Sequence, residues 1–181
     1  MKTKVLIVAI AVVALANHVL GQGQVVLANN ATTLVWDPFG NPVPVGSVLF
    51  QLYFAAGVNQ PAASLSPVGP IVGTSTIAAG RVANTVIDIP TAVVPAGGAA
   101  TFQVWTWSSS FASYNAAALG GGLIGKSITF NATTSVGGPP PPLPVSLAGL
   151  WPGIGIPEPS TIVLAGMGVV SLLFFRRRKR S

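Results

Sequence analysis

The sequence predicts an all-β fold, a small antiparallel β-sandwich, and three observations carry that expectation. Charge is almost absent from the middle of the chain. Between Gln22 and Pro157 only Asp37, Arg81, Asp88 and Lys126 are charged, too few for solvated helical faces laced with i,i+4 ion pairs. β-Branched and aromatic residues gather in short runs bounded by Gly, Pro and Asn, the pattern of strands and turns. Two stretches alternate with a period of two. Ser47–Phe54 places Val48, Phe50, Leu52 and Phe54 on one face, and Ser127–Ala132 predicts Ile128 and Phe130 inward with Ser127, Thr129 and Asn131 outward.

Taken in order, residues 1–21 read as a secretory signal peptide. Lys2 and Lys4 form a basic start, Val5 to Ala16 is an apolar run of the right length, and Asn17 to Gly21 supplies a more polar end before cleavage ahead of Gln22. Residues 22–136 form one β-rich extracytoplasmic domain. Its expected strands are Gln24–Leu27, Thr32–Trp36, Ser47–Phe54, Gly73–Ile77 paired with Arg81–Ile89 through a turn near Ala79–Gly80, Phe102–Trp107 and Ser127–Ala132. Asp37 to Pro42 reads as a turn, because Asp, Pro, Gly and Asn each favour one. Ser113–Leu119 predicts a short helical turn halted by Gly120-Gly121-Gly122. Residues 137–155 change character: Pro139 to Pro142 impose polyproline II, so this stretch is expected to be a semi-rigid Gly/Pro-rich linker.

The chain carries a net charge of +6, which on its own would suggest a nucleic-acid partner. Seven of the nine basic residues, however, are Lys2, Lys4 and the cluster Arg176, Arg177, Arg178, Lys179 and Arg180. The domain between is neutral, so the charge reports membrane topology and no nucleic-acid partner is expected. There is no cysteine, and the single histidine is His18, inside the signal peptide. Ser-His-Asp and Cys-His sites therefore cannot be built, and a zinc ion would find no ligand set. Asp37 precedes Pro38 in a turn and Asp88 sits in a strand beside Pro90, positions that structure alone explains. Gly120 to Ser127 satisfies the G-x-x-x-x-G-K-[ST] phosphate-loop pattern, but a strand pattern follows where a helix is required. No catalytic residue, metal or cofactor is expected.

The tail is the most informative stretch. Pro157-Glu158-Pro159 is held extended by its prolines. An uncharged run over 161–175 follows, expected to be a single transmembrane helix, and then the basic cluster Arg176 to Arg180. At ~1.5 Å per residue the run from Ile162 to Phe175 covers about 21 Å, short of the ~30 Å of a hydrocarbon core. Snorkelling arginines make up part of the difference. The cations belong on the cytoplasmic side.

This order of parts, over 156–181, resembles the PEP-CTERM sorting signal of Gram-negative bacteria that make exopolysaccharide and biofilm. The resemblance implies recognition by an exosortase, a transpeptidase-like membrane enzyme, with processing near Pro157, Glu158 and Pro159. Gly21-Gln22-Gly23, Phe50 to Tyr53, Phe102 to Trp105 and Leu147 to Leu150 are loosely similar to other exported proteins of this kind. The resemblance implies a chain first held in the inner membrane with its domain in the periplasm, then moved to the cell surface or beyond. Expected partners are signal peptidase, exosortase, the membrane through 161–175, and exopolysaccharide. A non-enzymatic surface or matrix protein is the expected function. The alternative is a carbohydrate-binding module in which Trp105 and Trp107, on one strand face, and Tyr53 stack on sugar rings.

Overall fold

A computed structural model describes residues 23–138 and 142–157. The expected signal peptide, the apolar run 161–175, the basic cluster, Glu158 and Pro159 lie outside the described residues. Among the described residues the fold is all-β apart from a 3-10 turn at Ala62–Ser64 and one helix, α1 (Tyr114–Leu119). No helix among them is long and apolar enough to cross a membrane.

Ten strands follow in chain order: β1 Gly23–Leu27, β2 Val35–Trp36, β3 Val48–Ala56, β4 Ser66–Gly73, β5 Thr85–Ile89, β6 Ala99–Ser108, β7 Ile124–Lys126, β8 Phe130–Thr133, β9 Val145–Ser146 and β10 Ile154–Gly155. The largest sheet has the order β4-β3-β6-β7, with β8 also paired to β6; a second is β5-β1-β9, and β2 pairs with β10. The inward faces of all three meet in one continuous core. Val48, Phe50 and Leu52 of β3 are fully buried there, as the alternation predicts, beside Phe102 and Val104 of β6 and Val25, Leu27, Ile87 and Ile89 of the second sheet. Gly69 marks how closely the sheets approach: a Cβ there would lie 2.7 Å from the Ile87 side chain, and its φ of +68° suits only glycine.

Four features depart from the sequence expectation. First, two pairings are parallel, β1 with β9 and β2 with β10, where an antiparallel arrangement throughout was expected. Second, β4 begins seven residues before the expected Gly73 start and contains Pro67, Gly69 and Pro70. Those residues read as loop, yet β4 is an edge strand pairing only with β3. An edge strand tolerates a proline whose nitrogen faces away from the ladder, and the register shifts between Phe50 and Leu52. Third, the expected strand Ser127–Ala132 is interrupted: β7 ends at Lys126, Ser127–Thr129 form a connection, and only Phe130 onward is strand. Trp105 pairs with Lys126 but Phe102 with Phe130, so three steps along β6 face four on the opposite strand. The inserted residue reverses the alternation: Ile128 is exposed and Ser127 is buried. The Ser127 hydroxyl bridges the slip, accepting from the Val104 N–H at 2.9 Å and donating to the Ile128 carbonyl at 2.8 Å.

The fourth departure moves a boundary. Residues 145–156, assigned by composition to the linker, are core. Leu147, Trp151, Ile154 and Ile156 are each at most 2% exposed, the Leu147 N–H donates to the Val26 carbonyl at 3.0 Å, and the Trp151 indole N–H donates to the Ala28 carbonyl at 3.2 Å. Among the described residues the packed fold therefore runs on to Ile156.

Candidate functional site

Two regions bear on function, the outer face of the large sheet and the edge where the fold meets the Pro-Glu-Pro segment. On the outer face, Trp105 projects from the middle of β6. Tyr53, from β3, stacks on its ring with centroids 4.0 Å apart and planes 15° from parallel. Lys126, directly opposite Trp105 on β7, sets its Nζ 3.5 Å from the ring centroid. Two groups at those distances cannot share one side, so Tyr53 and Lys126 cover opposite faces of the indole. Tyr114, from the start of α1, leans in at 4.7 Å and 56° and lies 4.8 Å from the Lys126 Nζ. The Trp105 indole N–H donates to Gln103 Oε1 at 2.8 Å, and Gln103 Nε2 donates to the Ser127 carbonyl at 2.8 Å. A cation on an indole face is held by the ring quadrupole, and the cluster is locked from below by the glutamine.

Trp107 is not part of this surface. It shares the face with Trp105, as expected, but is 1% exposed. The helix α1 lies against β6, and the Trp107 indole N–H donates to the Phe111 carbonyl at 3.0 Å in the turn leading into α1. The expected three-residue platform is corrected to a closed Tyr53–Trp105–Lys126 stack flanked by Tyr114. Lys126 and Tyr114 join the cluster only through the fold: β7 sets Lys126 opposite Trp105, and α1 brings Tyr114 over the same ring.

Desolvation shapes the titration of this cluster. Burial lowers the Lys126 ammonium and raises the Tyr53 phenol; burial, then the neighbouring Tyr53 charge, raises Tyr114. These are the only two tyrosines in the chain. Alkaline titration followed by tyrosinate absorbance should therefore show no component at the ordinary 10.0 and a midpoint displaced upward for both. Because the folded state holds both phenols neutral, stability is fully present below pH ~10 and lost as pH rises through the folded values. A midpoint at the ordinary value would show the stack to be open in solution.

The remaining sequence candidates have structural partners. The phosphate-loop match runs from the C-cap of α1 at Gly120 into strand β7, the reverse of the strand-loop-helix order that cradles phosphate. Asp37 Oδ1 accepts from the N–H groups of Phe39 and Asn41, closing its turn. Asp88, on β5 in a different sheet, accepts from Gln24 Nε2 at 2.7 Å. No cluster of metal-ligating side chains occurs among the described residues.

At the other region, β10 runs beside β2 with Ile154 opposite Val35 and Gly155 opposite Trp36. The Ile154 N–H donates to the Leu34 carbonyl at 3.2 Å and the Ile156 N–H to the Trp36 carbonyl at 3.0 Å. Ile156 is buried and the next residue, Pro157, is exposed. The Pro-Glu-Pro segment thus begins at the surface of the fold with no spacer.

No curated protein and no solved structure matches the chain. Residues 155–179 match the PEP-CTERM protein-sorting motif. That match opens at Gly155 and covers Pro157, Glu158 and Pro159, the apolar run, and the basic cluster up to Lys179. The chain thus carries a PEP-CTERM sorting motif behind an all-β domain, and the motif supports an exported, exosortase-sorted protein.

Proposed function

We propose that the protein is a non-enzymatic surface or extracellular matrix component, delivered by its tail and associated there with exopolysaccharide or biofilm. In this reading signal peptidase removes residues 1–21 and the run over 161–175 anchors the chain in the inner membrane. The domain then waits in the periplasm until exosortase acts near Pro157, Glu158 and Pro159. The observation that carries the reading is the sorting motif itself, attached to a domain with two acids, two bases and neither cysteine nor histidine. Such a domain lacks the histidine and cysteine that most often serve as general base and activated nucleophile, and its two carboxylates already serve a turn and a cross-strand contact.

The geometry does not favour the carbohydrate-platform alternative. A sugar ring stacks on a bare aromatic face, whereas Trp107 is buried and both faces of Trp105 are covered.

Comparing wild type with Glu158→Ala in an exosortase-bearing host tests the sorting role. Mass spectrometry of the mature wild-type product should show loss of Arg176 to Arg180, and Glu158→Ala should retain them at least tenfold more often. If both products keep the basic cluster, the tail is a permanent anchor and the sorting reading fails.

A further inference from the structure

We propose that strand β10 guards the sorting motif: processing requires β10 to leave β2, and the stability of that short ladder sets the processing rate. The inference rests on the sorting reading above and concerns how the fold regulates the same site. The motif and the fold share residues, since the match begins at Gly155, within β10, and continues through the buried Ile156. Only Pro157 separates the last core side chain from Glu158.

An enzyme that reads the motif from Gly155 onward must engage backbone that belongs to the fold. Enzymes that act on peptide segments commonly hold them extended, pairing with their backbone N–H and C=O groups. Immediately ahead of the motif those groups are occupied: the Ile154 and Ile156 N–H groups are bonded to the Leu34 and Trp36 carbonyls. A membrane enzyme reading the motif together with the residues before it competes with β2 for the same backbone. The ladder is built to open locally. β10 has two residues, lies at a sheet edge and pairs only with β2, and short edge elements detach at far lower cost than the whole fold. What holds it down is the burial of Ile154 and Ile156.

The absence of native cysteine allows a direct test in the full chain. Trp36 and Gly155 are directly opposed, and no atom lies within 4 Å of where a Gly155 Cβ would stand. That spacing leaves the two Cβ atoms more than 4 Å apart, at the long end of the disulfide range, so a Trp36→Cys, Gly155→Cys pair links β10 to β2 in a fraction of the chains in the oxidising periplasm. Tail loss is followed in the exosortase-bearing host, on the fraction shown by thiol labelling to be cross-linked. We expect at least tenfold slower processing than in either single cysteine variant, restored by reductant. Ile156→Ala should be processed at least threefold faster than wild type. Cross-linked protein processed at the rate of the single variants would overturn the proposal, because the enzyme would then take the motif with β10 in place. Failure of wild type itself to lose its tail would instead overturn the sorting reading, and this inference with it.

Discussion

A chain ended after Val136 should not fold, and Trp151→Ala in residues 22–157 should lower unfolding stability by about 3–5 kcal/mol. Composition places the end of the domain at residue 136, but the core does not end there. Trp151 is among the largest fully buried side chains, with its indole N–H bonded to the Ala28 carbonyl. Removing it empties a large volume and strips a buried carbonyl of its donor. Truncation removes more: Leu147, Trp151, Ile154 and Ile156 together, plus the strands that pair with β1 and β2. Each large apolar side chain contributes ~1.5–3 kcal/mol on burial, and domains of this size have a net stability of only ~5–15 kcal/mol. The truncated chain therefore loses most of its margin. Urea titration followed by far-UV circular dichroism should show a cooperative transition for residues 22–157 and none for 22–136. Equal midpoints for the two would return residues 145–156 to the role of a spacer.

Asn29 carries the second large effect, because one buried amide closes its own loop and ties it to the segment Gly80–Val82 through three hydrogen bonds. Its Nδ2 donates to the Thr33 carbonyl at 2.9 Å and the Gly80 carbonyl at 3.0 Å, while its Oδ1 accepts from the Val82 N–H at 3.1 Å. Asn29 is 5% exposed and Val82 2%, so water cannot easily replace the lost partners. Asn29→Ala should cost about 3 kcal/mol, from a buried N–H left without an acceptor and carbonyls left underused. Asn29→Asp should be worse at neutral pH: it keeps the acceptor but turns a carboxylate toward two carbonyl oxygens in a buried site. Denaturant midpoints for the two variants check both the magnitude and the order. A smaller loss for Asp than for Ala would mean that the site is open to solvent.

Legibility in the sequence followed the physical source of each signal. Strand β3 was readable because it buries one face and leaves the other half-exposed, so period-two alternation is imposed on its residues; β6, buried on both faces along most of its length, was readable from its β-branched and aromatic residues. Helix α1 was readable from the glycines that stop it, Gly120 being its C-cap. Strand β4 was hidden by Pro67, Gly69 and Pro70, which an edge tolerates and a central strand would not. Strands β9 and β10 are two residues each in a glycine- and proline-rich context, too short for any periodicity. Their membership in the core is decided by partners more than a hundred residues away. The candidate site divides the same way. The sorting motif is a local pattern and was read in full, whereas the Tyr53–Trp105–Lys126 stack depends on which strands flank β6.

The parallel pairing of β1 with β9 has a consequence for timing. It joins the first and nearly the last segments of the domain, with Val25 opposite Val145. Contacts of such long sequence separation form late and slowly, because the closure entropy of the intervening chain precedes any gain from the contact. A polypeptide crossing the inner membrane N-terminus first delivers β1 early and Leu147, Trp151 and Ile154 at the very end. Until then one side of β1 is an open hydrogen-bonding edge and the core beneath it lacks its lid. On the export route proposed above, maturation of this domain follows translocation, and the emerging chain carries a strand-shaped vacancy that its own C-terminal segment later fills.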